Sequence, residues 1–154
     1  MRTKQWSKSP DLGIGVAVDS VMAVAETLGL SVEFRDIGPA SGFLYASGLV
    51  VLNIRHGAAA QRENLAHECG HAYWGHDWRG RHDISRDERI ADRYAARLLV
   101  GVEGYARAER LVGPHPGALA KELGVTRRLI ELRQEDFAGG RGRPVPSGLD
   151  LWER

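Results

Sequence analysis

Residues 67–71 read His-Glu-Cys-Gly-His. On a helix, side chains four residues apart share one face, so the rings of His67 and His71 can converge. Two neutral imidazoles placed that way can grip one divalent metal ion at ~2.0–2.1 Å each. Glu68 follows the first of them directly. Its carboxylate can then face a water molecule acidified by the ion and take its proton as a general base. The competing reading is a solvated helix face that carries two histidines by chance. Three features favour the metal. The flanking residues suit a helix, and Gly70 permits close approach of another element. Leu65, Ala66, Ala72 and Tyr73 make the helix apolar enough that its polar residues need a reason to be there. Cys69 faces away from the histidine pair and reads as a small core residue, with a thiol switch as the lesser alternative.

A catalytic site of this kind needs a third protein ligand and one open position. The downstream candidates are His76, His82, Asp83, Asp87, Glu88 and Asp92. A helix from Ser85 to about Val100 sets Glu88, Ala91, Asp92, Ala95 and Leu99 near one stripe. If it returns past the first helix, Glu88 can reach the ion, and Asp92, one turn on, can hold a ligand imidazole. Ala91, Ala95 and Ala96 are small enough for the two helices to pack closely. Glu88 also has a second reading. Ser85-Arg86-Asp87-Glu88 fits a capping box in which Glu88 reaches back to the Ser85 amide. Spacing leaves both open.

The other histidines are weaker signals. His76 lies off the shared face by about 140° on a regular helix. It reads as an orienting or surface residue, with a place in the cleft as the alternative. His82, between the two helices, reads as solvated, or else touches substrate. His56 reads as a loop residue and His115, between prolines, as structural. Tyr73 and Trp74 read as core, with a substrate wall as the lesser alternative.

The elements that must position these groups are legible in outline. Residues 1–9 are polar. A helix follows, from Ser9-Pro10-Asp11 or, given Gly13 and Gly15, from near Asp19. Val18, Val21, Ala25 and Leu28 form its apolar face, and Gly29 stops it. Ser31 to Asp36 alternates as a strand with one wet face, and residues 38–42 form a turn. Phe43–Ala46 and Leu49–Asn53 read as strands joined through Ser47-Gly48, so the expected sheet is small and antiparallel. Helices are expected from Gln61 to about His76, over 85–100, over 103–111, over 118–124 and over 126–137. Residues 138–154 form a tail rich in Gly and Pro.

With 154 residues, one domain is expected. Apolar residues at 43% and charged residues at 27% exclude a chain too polar to fold. The net charge of +1 excludes the bulk charge of a nucleic-acid coat. A single cysteine cannot form an internal disulfide, which fits a reducing, cytoplasmic setting. No signal-like run stands at the N-terminus, and no apolar stretch nears the ~20 residues of a membrane span.

The stretch QRENLAHECGHAYWGH, followed by ERIADRYAARLLV, resembles the ImmA/IrrE family of metallo-endopeptidases. Members show a strand ending in Asn, an LAHExGH helix with a further His, and a helix of the form ExxA(N/D)xFA-LL. Here LVVLN, LAHECGH with His76, and Glu88, Ala91, Asp92, Tyr94, Ala95, Leu98 and Leu99 stand in those places in order. Tyr94 replaces the usual Phe, and Val100-Gly101 replaces a frequent Met/Leu-Pro. The match spans about residues 49–136. It also fits the wider gluzincin pattern. The resemblance implies an α+β, zincin-like domain over residues 1–137 with a mostly helical C-terminal half. It implies one zinc ion held by His67, His71 and Glu88, with Glu68 as base and Asp92 behind a ligand. It also implies a protein substrate, such as a helix-turn-helix repressor of a phage or mobile element. Tyr94, His76 and His82 are candidates to line the cleft or stabilise an oxyanion.

A rival expectation comes from residues 118–137, ALAKELGVTRRLIELRQEDF, which resemble a helix-turn-helix. Arg127, Arg128 and Arg133 on its second helix could meet phosphates or base edges. The chain would then be a DNA-binding or repressor-binding regulator without proteolysis. Acidic Glu131, Glu135 and Asp136 on the same helix weigh against direct DNA contact.

Overall fold

The computed structural model describes residues 18–76 and 84–140, with side chains from residue 21 onward. Expectations for residues 1–17, for His82 and Asp83, and for the tail beyond 140 lie outside the described residues.

The described chain is α+β. Helix α1 (Val18–Thr27) leads into β1 (Ser31–Arg35), β2 (Gly42–Leu44) and β3 (Leu49–Asn53). Five helices follow: α2 (Ala58–Trp74), α3 (Ile84–Leu99), α4 (Val102–Val112), α5 (Pro116–Leu123) and α6 (Arg127–Ala138). Among the described residues, no helix is long and apolar enough to cross a membrane.

The sheet is mixed, which corrects the antiparallel expectation. Its order is β1-β3-β2. β2 and β3 form the expected hairpin, with Phe43 opposite Val51 and Gly48 at φ 84° in the turn. β1, however, lies parallel to β3, from Ser31 opposite Leu49 to Arg35 opposite Asn53. The cause is the connection over residues 36–41. It is too long for a tight hairpin, and it leaves a slot into which β3 inserts. Asn53 locks that connection in place. Its buried side chain donates to the Gly38 carbonyl (2.9 Å) and the Ala40 carbonyl (2.7 Å) and accepts from the Arg55 amide (2.9 Å). Gln61 then donates to the Asn53 carbonyl at 2.8 Å, which ties the start of α2 to the end of β3. β2 is left as an edge strand beside α2.

Alternation along β3 turns Val50 and Leu52 into the core with Val21, Ala25, Leu65 and Cys69. α2 packs on the sheet through one side and on α3 through another. At Gly70 an added Cβ would lie 3.0 Å from Ala91 Cα and 3.1 Å from Tyr94 Cβ. The close helix approach expected from Gly70 and the alanines of α3 is therefore present. Tyr73 stacks on Tyr94 with centroids 5.4 Å apart, but Trp74 is exposed, contrary to expectation.

The α5–α6 pair is fastened to this body. His115 caps α5 by accepting from the Gly117 amide at 3.2 Å, the structural role expected of it. Glu63 on α2 accepts from the amide and hydroxyl of Thr126 (3.0 and 2.8 Å), placing a carboxylate at the N-terminus of α6. At the far end, buried Asp136 pairs with Arg93 and with Arg97 (2.8 Å to the latter), and buried Arg133 donates to the Val100 carbonyl at 2.8 Å.

Candidate metal centre

The regular helix α2 carries Glu63, His67 and His71 on one stripe. His67 Nε2 and His71 Nε2 lie 3.0 Å apart. Glu88, one turn into α3, completes a triangle: its Oε2 is 3.1 Å from His67 Nε2 and its Oε1 is 3.2 Å from His71 Nε2. These sides approach the ~3.3 Å edge of a tetrahedron with ~2.0 Å bonds. The three residues could hold a metal ion. Glu88 is thus turned toward the histidines rather than back along its own helix, and Ser85 lies inside α3 instead of capping it.

Asp92 Oδ1 sits 2.9 Å from His67 Nδ1. In the neutral ring this contact puts the proton on Nδ1 and leaves the Nε2 lone pair aimed at the triangle. The other oxygen of Asp92 accepts from Arg128 of α6. Burial and these two partners act in opposite directions on Asp92. Burial raises its pKa, and His67 and Arg128 more than offset this, so it stays lowered.

The two histidines are shifted in opposite directions. Burial pulls the His67 pKa down, but Asp92, Glu68 and Glu88 together hold it above its ordinary value. Burial and the neighbouring His67 push His71 down to about 4. A proton therefore competes with a metal ion chiefly at His67. Because the His67 pKa is raised above its ordinary 6.5, affinity for a divalent ion at these three residues is expected to fall as pH drops through that raised value. Below the His67 pKa up to about one proton should be displaced per ion, and well above it almost none. Zinc titrations between roughly pH 8 and 5 check this, and a flat profile contradicts it.

Glu68 stands beside the triangle and outside it. Burial raises its carboxyl, His67 lowers it and Glu88 raises it again, for a result of about 7. It faces β2: a Cβ added to Gly42 would come within 3.9 Å of its Oε1. The cleft in front of these groups has a volume of about 700 Å³. Its walls are β2 with Ser41 on one side, the 63–71 face of α2 at the floor, and Glu88, Asp92 and Ala95 of α3 opposite. Thr126, Arg128 and Leu129, at the start of α6, complete it.

The remaining candidates fall elsewhere. His76 lies behind His71, Nδ1 to Nδ1 at 2.9 Å, and does not line the cleft. Tyr94 is buried in the core against Tyr73 and is likewise outside the cleft. Its neighbour Ala95 is the residue of that turn that faces in. Cys69 is fully buried, and burial and Glu68 push its thiol up to about 12, so it is no thiolate switch. His56 lies in the loop between β3 and α2.

The three arginines of the rival reading are engaged within the chain. Arg127 pairs with Glu131 at 2.7 Å, Arg128 with Asp92, and Arg133 is buried. Glu63 and Gly42 escaped the sequence reading, and Arg128 was read as a DNA contact rather than as the partner of Asp92. The signal for Glu63 was its spacing of four from His67. Arg128 and Gly42 carry no local signal, because each matters only through a distant element. Compared with known proteins, the chain matches no family model and no curated protein.

Proposed function

We propose that this chain is a zinc-dependent endopeptidase of the ImmA/IrrE type. One observation carries the reading: two imidazole nitrogens and a carboxylate converge at 3.0–3.2 Å, with a separate carboxylate on the same cleft floor. Two histidines and one carboxylate suit zinc. Zinc, when bound, supplies Lewis acidity to a scissile carbonyl and acidifies water near neutral pH.

The residues of the chain do the rest. Glu68, with its carboxyl raised to about 7, takes a proton from the attacking water and returns it to the leaving amine. Asp92 keeps the His67 ring in one orientation, and Arg128 keeps Asp92 in place. Among the described residues, nothing pairs with the outer edge of β2 at the cleft, so an extended segment of substrate can add to it as a strand. That geometry suits a flexible linker in a protein substrate. A helix-turn-helix repressor of a phage or mobile element, met in the cytoplasm, is the substrate we propose. The DNA-binding alternative loses support because Arg133 is buried and Arg127 and Arg128 each pair with a carboxylate of the chain. Incubation of the purified chain with such a repressor, with and without a chelator, and with Glu68→Gln in parallel, tests the reading. Chelator-sensitive cleavage that Glu68→Gln lacks supports it, and cleavage that survives both changes contradicts it.

A further inference from the structure

We propose that His76 is a positioning residue of the metal centre: it fixes the tautomer and tilt of His71, with the Asp87 carboxylate facing its far side. This inference rests on the metal reading above. It begins with the end of α2. Gly75 adopts φ 64° and ψ 36°. This is a left-handed conformation that glycine takes without steric strain. The Gly75 amide donates to the Ala72 carbonyl (3.2 Å) and the His76 amide to the His71 carbonyl (3.0 Å). Such bonds are the usual way a helix closes on a left-handed glycine. The chain therefore folds back, and His76 comes to lie beside the residue it would have left behind on a continuing helix.

The proton positions then follow from donor and acceptor chemistry. His71 Nε2 faces His67 and Glu88, so its lone pair must be free for an ion and its proton must sit on Nδ1. His71 Nδ1–H consequently donates to His76 Nδ1 across 2.9 Å. His76 must then carry its own proton on Nε2, the atom that faces Asp87 Oδ1 at 3.5 Å. His76 is well shielded, with 11% of its side chain exposed. One helix, α3, thus supplies carboxylates to all three histidines. Glu88 is the third corner of the triangle and meets His67 and His71, Asp92 backs His67 directly, and Asp87 faces His76, which backs His71.

The test compares zinc affinity of the full chain for wild type, His76→Asn and His76→Phe, by competition with a coloured chelator. Asn places an acceptor oxygen near the position of Nδ1, whereas Phe keeps the ring and removes the acceptor. His76→Phe is expected to weaken zinc binding ~10–100-fold. Asn is expected to restore most of it, with the melting temperature of the metal-free chain little changed in either. Nitrogen-detected NMR of the metal-free wild type should place the His71 proton on Nδ1. Equal zinc affinity in wild type and His76→Phe would overturn the proposal, as would equal losses in Phe and Asn. If wild type takes up no zinc, the metal reading itself fails. The His71 tautomer then decides this inference separately, and a proton on Nε2 overturns it.

Discussion

Glu68→Gln is expected to leave zinc bound and to lower peptide hydrolysis by ~10²–10⁴-fold. Glutamine keeps the size and shape of the side chain, so the packing around this largely buried residue should survive. It cannot take a proton. His67, His71 and Glu88, the three residues that could hold the ion, are untouched by the change. The environment explains why the carboxylate suits its task. Burial lifts it to about 7, where it is both ionised often enough to accept a proton and acidic enough to give one back. A purified repressor or a peptide-library digest supplies the readout, with zinc content measured on the same samples. Wild-type turnover in the variant would remove Glu68 from the mechanism. Loss of zinc together with turnover would recast it as a ligand.

Gly70→Val is expected to cost about 2–3 kcal/mol and to lower the melting temperature by roughly 5–10 °C. The cause is contact rather than helix propensity. Even a single Cβ at this position would sit 3.0 Å from Ala91 Cα and 3.2 Å from the Ala91 carbonyl oxygen, and backbone cannot swing aside as a flexible side chain can. The added methyls must separate α2 from α3. Because the two histidines ride on α2 and Glu88 and Asp92 on α3, the same displacement should weaken zinc binding. Thermal melts of the metal-free chain and zinc titration read the two effects. A Gly70→Val chain as stable as wild type would mean that the helices are not held at this distance.

Much of the centre was legible in residues 67–92 because it depends on local periodicity. His67 and His71 stand four residues apart on α2, Glu88 and Asp92 four apart on the strongly amphipathic α3, and packing of the two helices brings the four together. The ambiguity over Glu88 was real at the level of spacing, since a capping box and a metal ligand ask for the same residue at the same place. Its resolution required the position of a second helix. His76 shows a different limit. Its angular offset from His71 assumes a continuous helix, and Gly75 ends that helix one residue earlier. The parallel β1–β3 pairing was hidden because each strand reads the same in either direction. Only the Asn53 knot on residues 38–40 reveals why β3 is central. Tyr94 and Ala95 are adjacent, so a shift of one residue on α3 decides which enters the core and which the cleft. Arg128 is legible as a cation, but its partner is 36 residues away in sequence.

His67, His71 and Glu88 are proposed to form one zinc site. Elemental analysis of purified wild type and Glu88→Ala side by side tests it most directly. About one zinc per wild-type chain, with a clear loss in the variant, is the result expected of a tetrahedral site with three protein donors. A wild-type chain that holds no metal after zinc is supplied and the excess removed would contradict the account. Equal zinc in both proteins would place the ion somewhere other than between α2 and α3.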